Sequence, residues 1–224
     1  MPWHQTVRVI SVQFVYLGAV IGAVGTGIYL RDTLRGTTQP NRVTWCLWAV
    51  APLLAAAAEF HAGVGLRTLT TFTIGFMPLL VFVASFHNPA AVWKIRRIDY
   101  VCGAFSLAGT VAWLVTENGV IAIAAAIVAD FLAGVPTVMK SWTNPDSETV
   151  TTYVGAAINS GILLLTIVHW TFDVAAFPAF IFVFASVQAV FVGLRPGPRF
   201  REYRAGRHVE PAAARKSPQE STST

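Results

Sequence analysis

The stretch Ala129–Val154, ADFLAGVPTVMKSWTNPDSETVTTYV, decides how the chain folds. It opens inside an apolar run where Asp130 falls deep and Pro136 interrupts a helix, then passes Lys140 into a short polar turn and starts a second apolar run. The same plan stands 105 positions earlier in RDTLRGTTQPNRVTWCLW, which begins at Arg31. In that register Arg35 faces Lys140, Gln39 faces Asn144, Pro40 faces Pro145, Asn41 faces Asp146, Thr44 faces Thr149 and Trp48 faces Tyr153. Two copies of one helical unit are expected. Asn41 and Asp146 each follow a proline and are placed to cap the helix after them, so capping alone is a second explanation of the matched turns.

The composition sets the solvent. Of 224 residues, 54% are hydrophobic and 12% charged, too apolar for an ordinary soluble domain and long enough for several spans. The net charge of +5 would suit nucleic acid, but the basic residues stand at the ends of apolar runs and in the tail, where anionic lipid is the simpler partner. No nucleic-acid partner is expected. Cys46 and Cys102 lie in separate apolar runs without metal-ligand or redox spacing, so they read as buried free thiols, and no metal or cofactor is expected.

Seven runs approach the roughly 20 residues a helix needs to cross hydrocarbon. They are Val9–Leu30, Val43–Glu59, Leu69–Phe86, Ile98–Val115, Val120–Met139, Val150–His169 and Val174–Leu194, the last unbroken or split at Pro178 as a re-entrant pair. None shows the period-two alternation of barrel strands. Arg8 and Arg67 fall on one side, against Arg31, Arg35, Arg42, Lys94, Arg96, Arg97, Lys140, Arg195, Arg199, Arg201, Arg204 and Arg207 on the other. Basic residues near span ends resist translocation, which puts the N-terminus outside, the C-terminus in the cytoplasm and the protein in the plasma (inner) membrane. The first run is too long for a signal peptide and enters from outside, so it stays in the mature chain.

The offset places span 1 on span 5, span 2 on span 6 and span 3 on span 7, both copies running the same way. Span 4 is unmatched. Identity in this register is sparse, with Thr38/Thr143, Pro40/Pro145, Thr44/Thr149 and Ala51/Ala156 agreeing. The fold class is therefore an all-α membrane protein of seven helices in a 3+1+3 parallel tandem repeat. Its parts are a first three-helix repeat at 1–86, a cytoplasmic loop and linker helix at 87–118, a second repeat at 119–194, and a basic, then disordered, cytoplasmic tail at 195–224.

This plan, with Pro136-Thr137-Val138-Met139-Lys140-Ser141 where a proline-glutamine pair is usually followed by a basic and a small polar residue, resembles the SWEET and PQ-loop superfamily of small-solute transporters. Thr137 replaces the glutamine, and the first copy has Arg31-Asp32 where the proline pair should be. The SWEET-like resemblance implies two three-helix bundles side by side, joined by span 4, with a solute cavity on the axis between them. It also implies that prolines such as Pro136 and Pro52 act as gating hinges; Pro78 and Pro178 bend spans 3 and 7 or are simple kinks.

Asp130 lies about midway along span 5, where a charge costs roughly 2.5–3.5 kcal/mol on insertion scales. It reads as a proton- or solute-binding carboxylate, or as a structural Asp packed on a neighbouring helix. Asn159 sits at similar depth on span 6 and reads as a solute contact or as interhelical glue. Trp48 and Tyr153, one turn into spans 2 and 6, read as rings across a central path or as interfacial aromatics. Glu59, His61, His169 and Asp173 mark an outer vestibule or solvated helix ends. Gly18, Gly22, Ala23 and Gly27 on span 1, and Gly103, Ala104, Ala108 and Gly109 on span 4, read as close packing.

The expected function is carriage of a small polar solute, sugar- or amino-acid-like, by alternating access, with protons as a possible second partner. The alternative is a receptor or assembly partner on the same fold that moves nothing, and a homo-oligomer fits either. An enzyme is not expected, since no pair of deep carboxylates, no Ser/His/Asp set and no His-x-x-x-His spacing occurs. A retinal pigment is excluded because span 7 has no lysine for a Schiff base.

Overall fold

The computed structural model describes residues 9–61, 63, 68–91, 93–116 and 118–204, with Glu59, Thr70 and Asp173 described in backbone only. Arg8, Arg67, Arg207 and the tail beyond residue 204 lie outside the described residues. Eight α-helices follow in order: α1 Phe14–Arg35, α2 Arg42–His61, α3 Thr68–Ala84, α4 Arg97–Val115, α5 Gly119–Thr143, α6 Val150–Thr166, α7 Phe172–Leu194 and α8 Pro196–Arg204. Short 3-10 turns at Pro89–Ala91 and Pro145–Ser147 complete the described structure, which contains no strand.

Among the described residues four helices are long and apolar enough to cross a membrane: Phe14–Arg35, Arg97–Val115, Gly119–Thr143 and Val174–Leu194. Arg42–Ala58, Thr71–Ala84 and Val150–Thr166 are shorter apolar segments. Many outward side chains are large and apolar, among them Val20 and Val24 on α1 and Phe105, Val111 and Leu114 on α4. Exposed faces of this kind belong in lipid, so the chain is that of a membrane protein.

The helix ends follow local chemistry. α1 runs five residues past the expected Leu30, because nothing breaks it before Gly36, whose φ of 76° lets its N–H reach the carbonyls of Asp32 and Thr33. α2 starts at Arg42 with Asn41 as its cap: the Asn41 Oδ1 accepts from the backbone N–H of Val43 at 3.1 Å and Thr44 at 3.3 Å. Asp146 does not cap α6. The second turn winds into a 3-10 segment, α6 begins only at Val150, and Asp146 instead pairs with Arg195 at the end of α7. α5 stops where Asn144 and Pro145 cannot continue it.

One end of the molecule gathers the connectors. Asn88, after α3, donates to the Leu34 carbonyl at the end of α1 (2.8 Å), and Arg42 at the start of α2 donates to the Ser85 carbonyl (2.7 Å). Asn41 donates to buried Asp99 in the first turn of α4 (3.1 Å), and Lys140 near the end of α5 donates to the Gln39 carbonyl. Hence α1, α3, α5 and α7 end there, while α2, α4 and α6 begin there. α3 lies between α1 and α2, α7 lies between α5 and α6, and the two triples meet where α1 packs on α6 and α2 on α5. α4 packs on α5 and α2.

Small residues let the triples approach. A Cβ on Gly25 would stand 2.6 Å from the Thr151 carbonyl oxygen, and one on Gly155 would stand 3.0 Å from the Ile21 carbonyl oxygen. α4 closes on α5 the same way, with Gly109 against Ala129.

Candidate functional site

A cavity of about 270 Å³ lies between the two triples. Six helices line it, α4 contributing nothing. Asp130 and Asn159, picked from the sequence for their depth, and Trp48 and Tyr153, picked for their shared repeat position, all stand on its wall. Pro52 is on the same wall with Pro78 and Pro178, whereas Pro136 is buried nearer the connector end and outside the lining.

Asp130 forms no hydrogen bond or ion pair among the described residues, and it is the only carboxylate lining the cavity; no lysine, arginine or histidine lines it. Asn159 lies against Gly18 and Gly22 of α1, with its side-chain oxygen 2.6 Å from where a Gly18 Cβ would be. These glycines therefore make room for a cavity side chain as well as for helix packing. Trp45, Trp48 and Phe184 form an edge-to-face chain with centroids 5.7 and 6.1 Å apart, which carries the aromatic wall from α2 to α7.

Beneath the cavity, toward the connectors, a buried polar network ties the triples together. The side chains of Lys140 and Glu148 are wholly buried and form an ion pair, and Lys140 also donates to the Gln39 carbonyl. The Trp93 ring lies 5.0 Å from the Lys140 ammonium. The Tyr153 hydroxyl donates to the other Glu148 oxygen at 2.6 Å, so one side chain spans cavity wall and network. Tyr29 of α1 and Gln188 of α7, both buried, complete the layer beside Glu148 and Tyr153. With Thr33, Thr137 and Ser141 also buried, the connector end is packed shut.

The sequence marked Lys140 as a repeat partner of Arg35, a motif residue and a topology signal, but not as half of a buried ion pair, and it drew no attention to Glu148, Tyr29 or Gln188. A lone amide in FVFASVQAVFVG carries the same signal that singled out Asn159, so Gln188 was findable. His61 and His169, read as vestibule residues, are exposed and stand outside the cavity lining; the side chains of Glu59 and Asp173 lie outside the described residues.

Pro136 has no N–H to give to the Leu132 carbonyl, and one residue further along the same turn α2 bonds to the α5 backbone. The Thr44 hydroxyl donates to the Ala133 carbonyl (2.7 Å) and accepts from the Thr137 hydroxyl (3.1 Å). Replacing Thr44 by valine keeps the shape and removes both bonds inside a buried contact, which is expected to destabilise the protein by about 1–3 kcal/mol. Unfolding in detergent measures this, and an unchanged midpoint would show that α5 needs no help at its proline.

Among the described residues no group of His, Cys, Asp or Glu is arranged to hold a metal ion. No protein-family model, curated protein or solved structure matches the chain.

Proposed function

We propose that this chain is a seven-span carrier that moves a small polar solute by alternating access of two like-oriented three-helix units joined by α4. The observation that carries the proposal is the meeting of Asp130, Asn159, Trp48 and Tyr153 in one cavity between the triples. A channel-like path would not need the shut connector end beneath it, whereas a carrier holds one end closed at a time.

The repeat gains support from two hydrogen bonds. Thr137 of α5 binds Thr44 of α2, and Thr149 at the start of α6 binds Asp32 of α1 at 2.9 Å. Both partners differ by the same 105 positions, 32 to 137 and 44 to 149. Asp32 thus takes the place of Thr137 in the first copy, although that copy has no proline beside it. The order α1-α3-α2 in one triple and α5-α7-α6 in the other follows the same pairing.

In this reading the connector end, with Arg35, Arg42, Arg96, Arg97, Arg195 and Arg199, faces the cytoplasm of an inner membrane, and α8 lies basic side on anionic lipid. Asp130 and Asn159 hold the solute, Trp48 and Tyr153 close over it, and Pro52 and Pro136 supply bending points in α2 and α5. The inner gate is the Lys140–Glu148–Tyr153 layer.

The test is solute counterflow in vesicles containing the purified protein. Asp130→Asn is expected to cut flux by at least about tenfold with the fold retained, and Trp48→Ala to raise KM more than it lowers kcat. Full flux in Asp130→Asn would move the site elsewhere. Saturable binding without flux of any solute would favour the receptor reading.

A further inference from the structure

The wall of the cavity narrows the chemistry of its occupant. We infer that the central site takes a small organic cation, an ammonium compound without a carboxylate, held between Asp130 and the aromatic wall of Trp48 and Phe184. This rests on the carrier reading for the idea that the site is occupied in turn from each side, but the recognition stands on the lining alone.

A carboxylate at mid-span depth with no bonded partner is unfavourable unless something meets it, and intramembrane charges pair with ions, solutes or other charges. Asp130 has no such partner among the described residues. A phosphate, a carboxylate or an amino acid's acid group would enter a site with one negative charge and, among the described residues, no Lys, Arg or His to receive it. A cation gains the Coulomb attraction that an anion loses. Lys140, on the same helix as Asp130, is already engaged by Glu148 and the Gln39 carbonyl.

The rest of the lining separates an organic cation from a bare metal ion. A sodium ion needs several oxygen ligands close together, whereas this wall is largely Trp45, Trp48, Tyr153, Phe177, Phe184 and aliphatic carbon. The indole N–H groups of Trp45 and Trp48 are buried away from the cavity, so the rings offer it hydrocarbon and π surface, not donors. Carbon-bearing ammonium groups bind such surfaces through cation–π attraction, which strengthens as the cation is desolvated. Thr26, Thr152, Asn159 and Ser160 add polar groups suited to a hydroxyl on the same molecule. The volume, about nine waters' worth of liquid, limits the occupant to a small molecule.

The experiment compares choline with 3,3-dimethylbutan-1-ol, its uncharged isostere, and with glycine betaine, which adds a carboxylate. Thermal stability of the purified full chain is read against each at matched sodium chloride. Saturable stabilisation by choline is expected, at least about tenfold weaker for the neutral isostere and for betaine, and absent in Asp130→Asn. Trp48→Leu, with the choline shift read against the variant's own unliganded midpoint, is expected to weaken choline binding by about fivefold or more, which covers the case in which Asp130→Asn does not fold. Equal binding of the isostere, stabilisation by sodium alone, or choline binding unaffected in both variants overturns the inference. Counterflow separates the two proposals: flux of a neutral solute without choline binding sinks the cation site and leaves the carrier, while choline binding without choline flux sinks the carrier and leaves the site.

Discussion

Replacing Lys140 by methionine is expected to lower the stability of the folded protein by about 3–5 kcal/mol, because Glu148 is then left charged and unpaired in a wholly buried position. Glu148→Gln should cost a similar amount from the other side, and it also weakens the acceptor for the Tyr153 hydroxyl. The double variant Lys140→Met with Glu148→Leu is expected to recover most of the loss, since two apolar side chains of similar size need no partner. Detergent unfolding of the three variants gives the comparison. Single variants within about 1 kcal/mol of the parent would mean that the pair is solvated, and the sealed inner layer would have no basis. The layer has a kinetic consequence in the carrier reading: parting the two units at the connector end breaks the bond from Lys140 to the Gln39 carbonyl, so Lys140→Met should increase thiol labelling of a cysteine placed at Thr152, on the cavity wall.

The sequence showed the skeleton because apolar runs are a property of single segments. α4 begins within a residue of the expected Ile98, α6 begins at the expected Val150, and Asn41 caps its helix as its place after Pro40 implied. The misses are tertiary. Glu148 sits in a polar turn, where a carboxylate is ordinarily solvated, and only the convergence of the two connectors with α5 and α6 buries it. By residue type Arg31-Asp32 does not match Pro136-Thr137, yet Asp32 is bonded to Thr149 as Thr137 is to Thr44, with the donor reversed: Thr149 donates to Asp32, whereas Thr137 donates to Thr44. Asp146 failed as a cap because a 3-10 turn stands between it and the helix, a detail that the matched Pro40 and Pro145 do not reveal. Trp48 and Tyr153 hold positions common to interfacial aromatics, and only the packing of the helices places both on the cavity wall and Phe184 of α7 against Trp48.

Gly25→Ala is expected to be the most damaging single methyl at the seam between α1 and α6. The added carbon would stand 2.6 Å from the Thr151 carbonyl oxygen and 3.3 Å from the Thr152 Cα, all backbone of the facing helix, so no side-chain rotation relieves the clash. α1 and α6 must move apart, at a cost of about 1–3 kcal/mol for a forced backbone shift. The displaced line is the one on which the Thr26 and Thr152 hydroxyls meet at 3.2 Å and on which both helices face the cavity, so separation opens the seam between the triples. Gly18→Ala is the control: its methyl would meet the Asn159 side-chain oxygen, a group able to turn aside, though Asn159 backbone at 3.3 Å limits the relief. Gly18→Ala should therefore lose less stability than Gly25→Ala but perturb solute binding through Asn159. Equal midpoints for Gly25→Ala and the parent would show that α1 and α6 are not held at this distance, and the wall of the cavity would then need a different description.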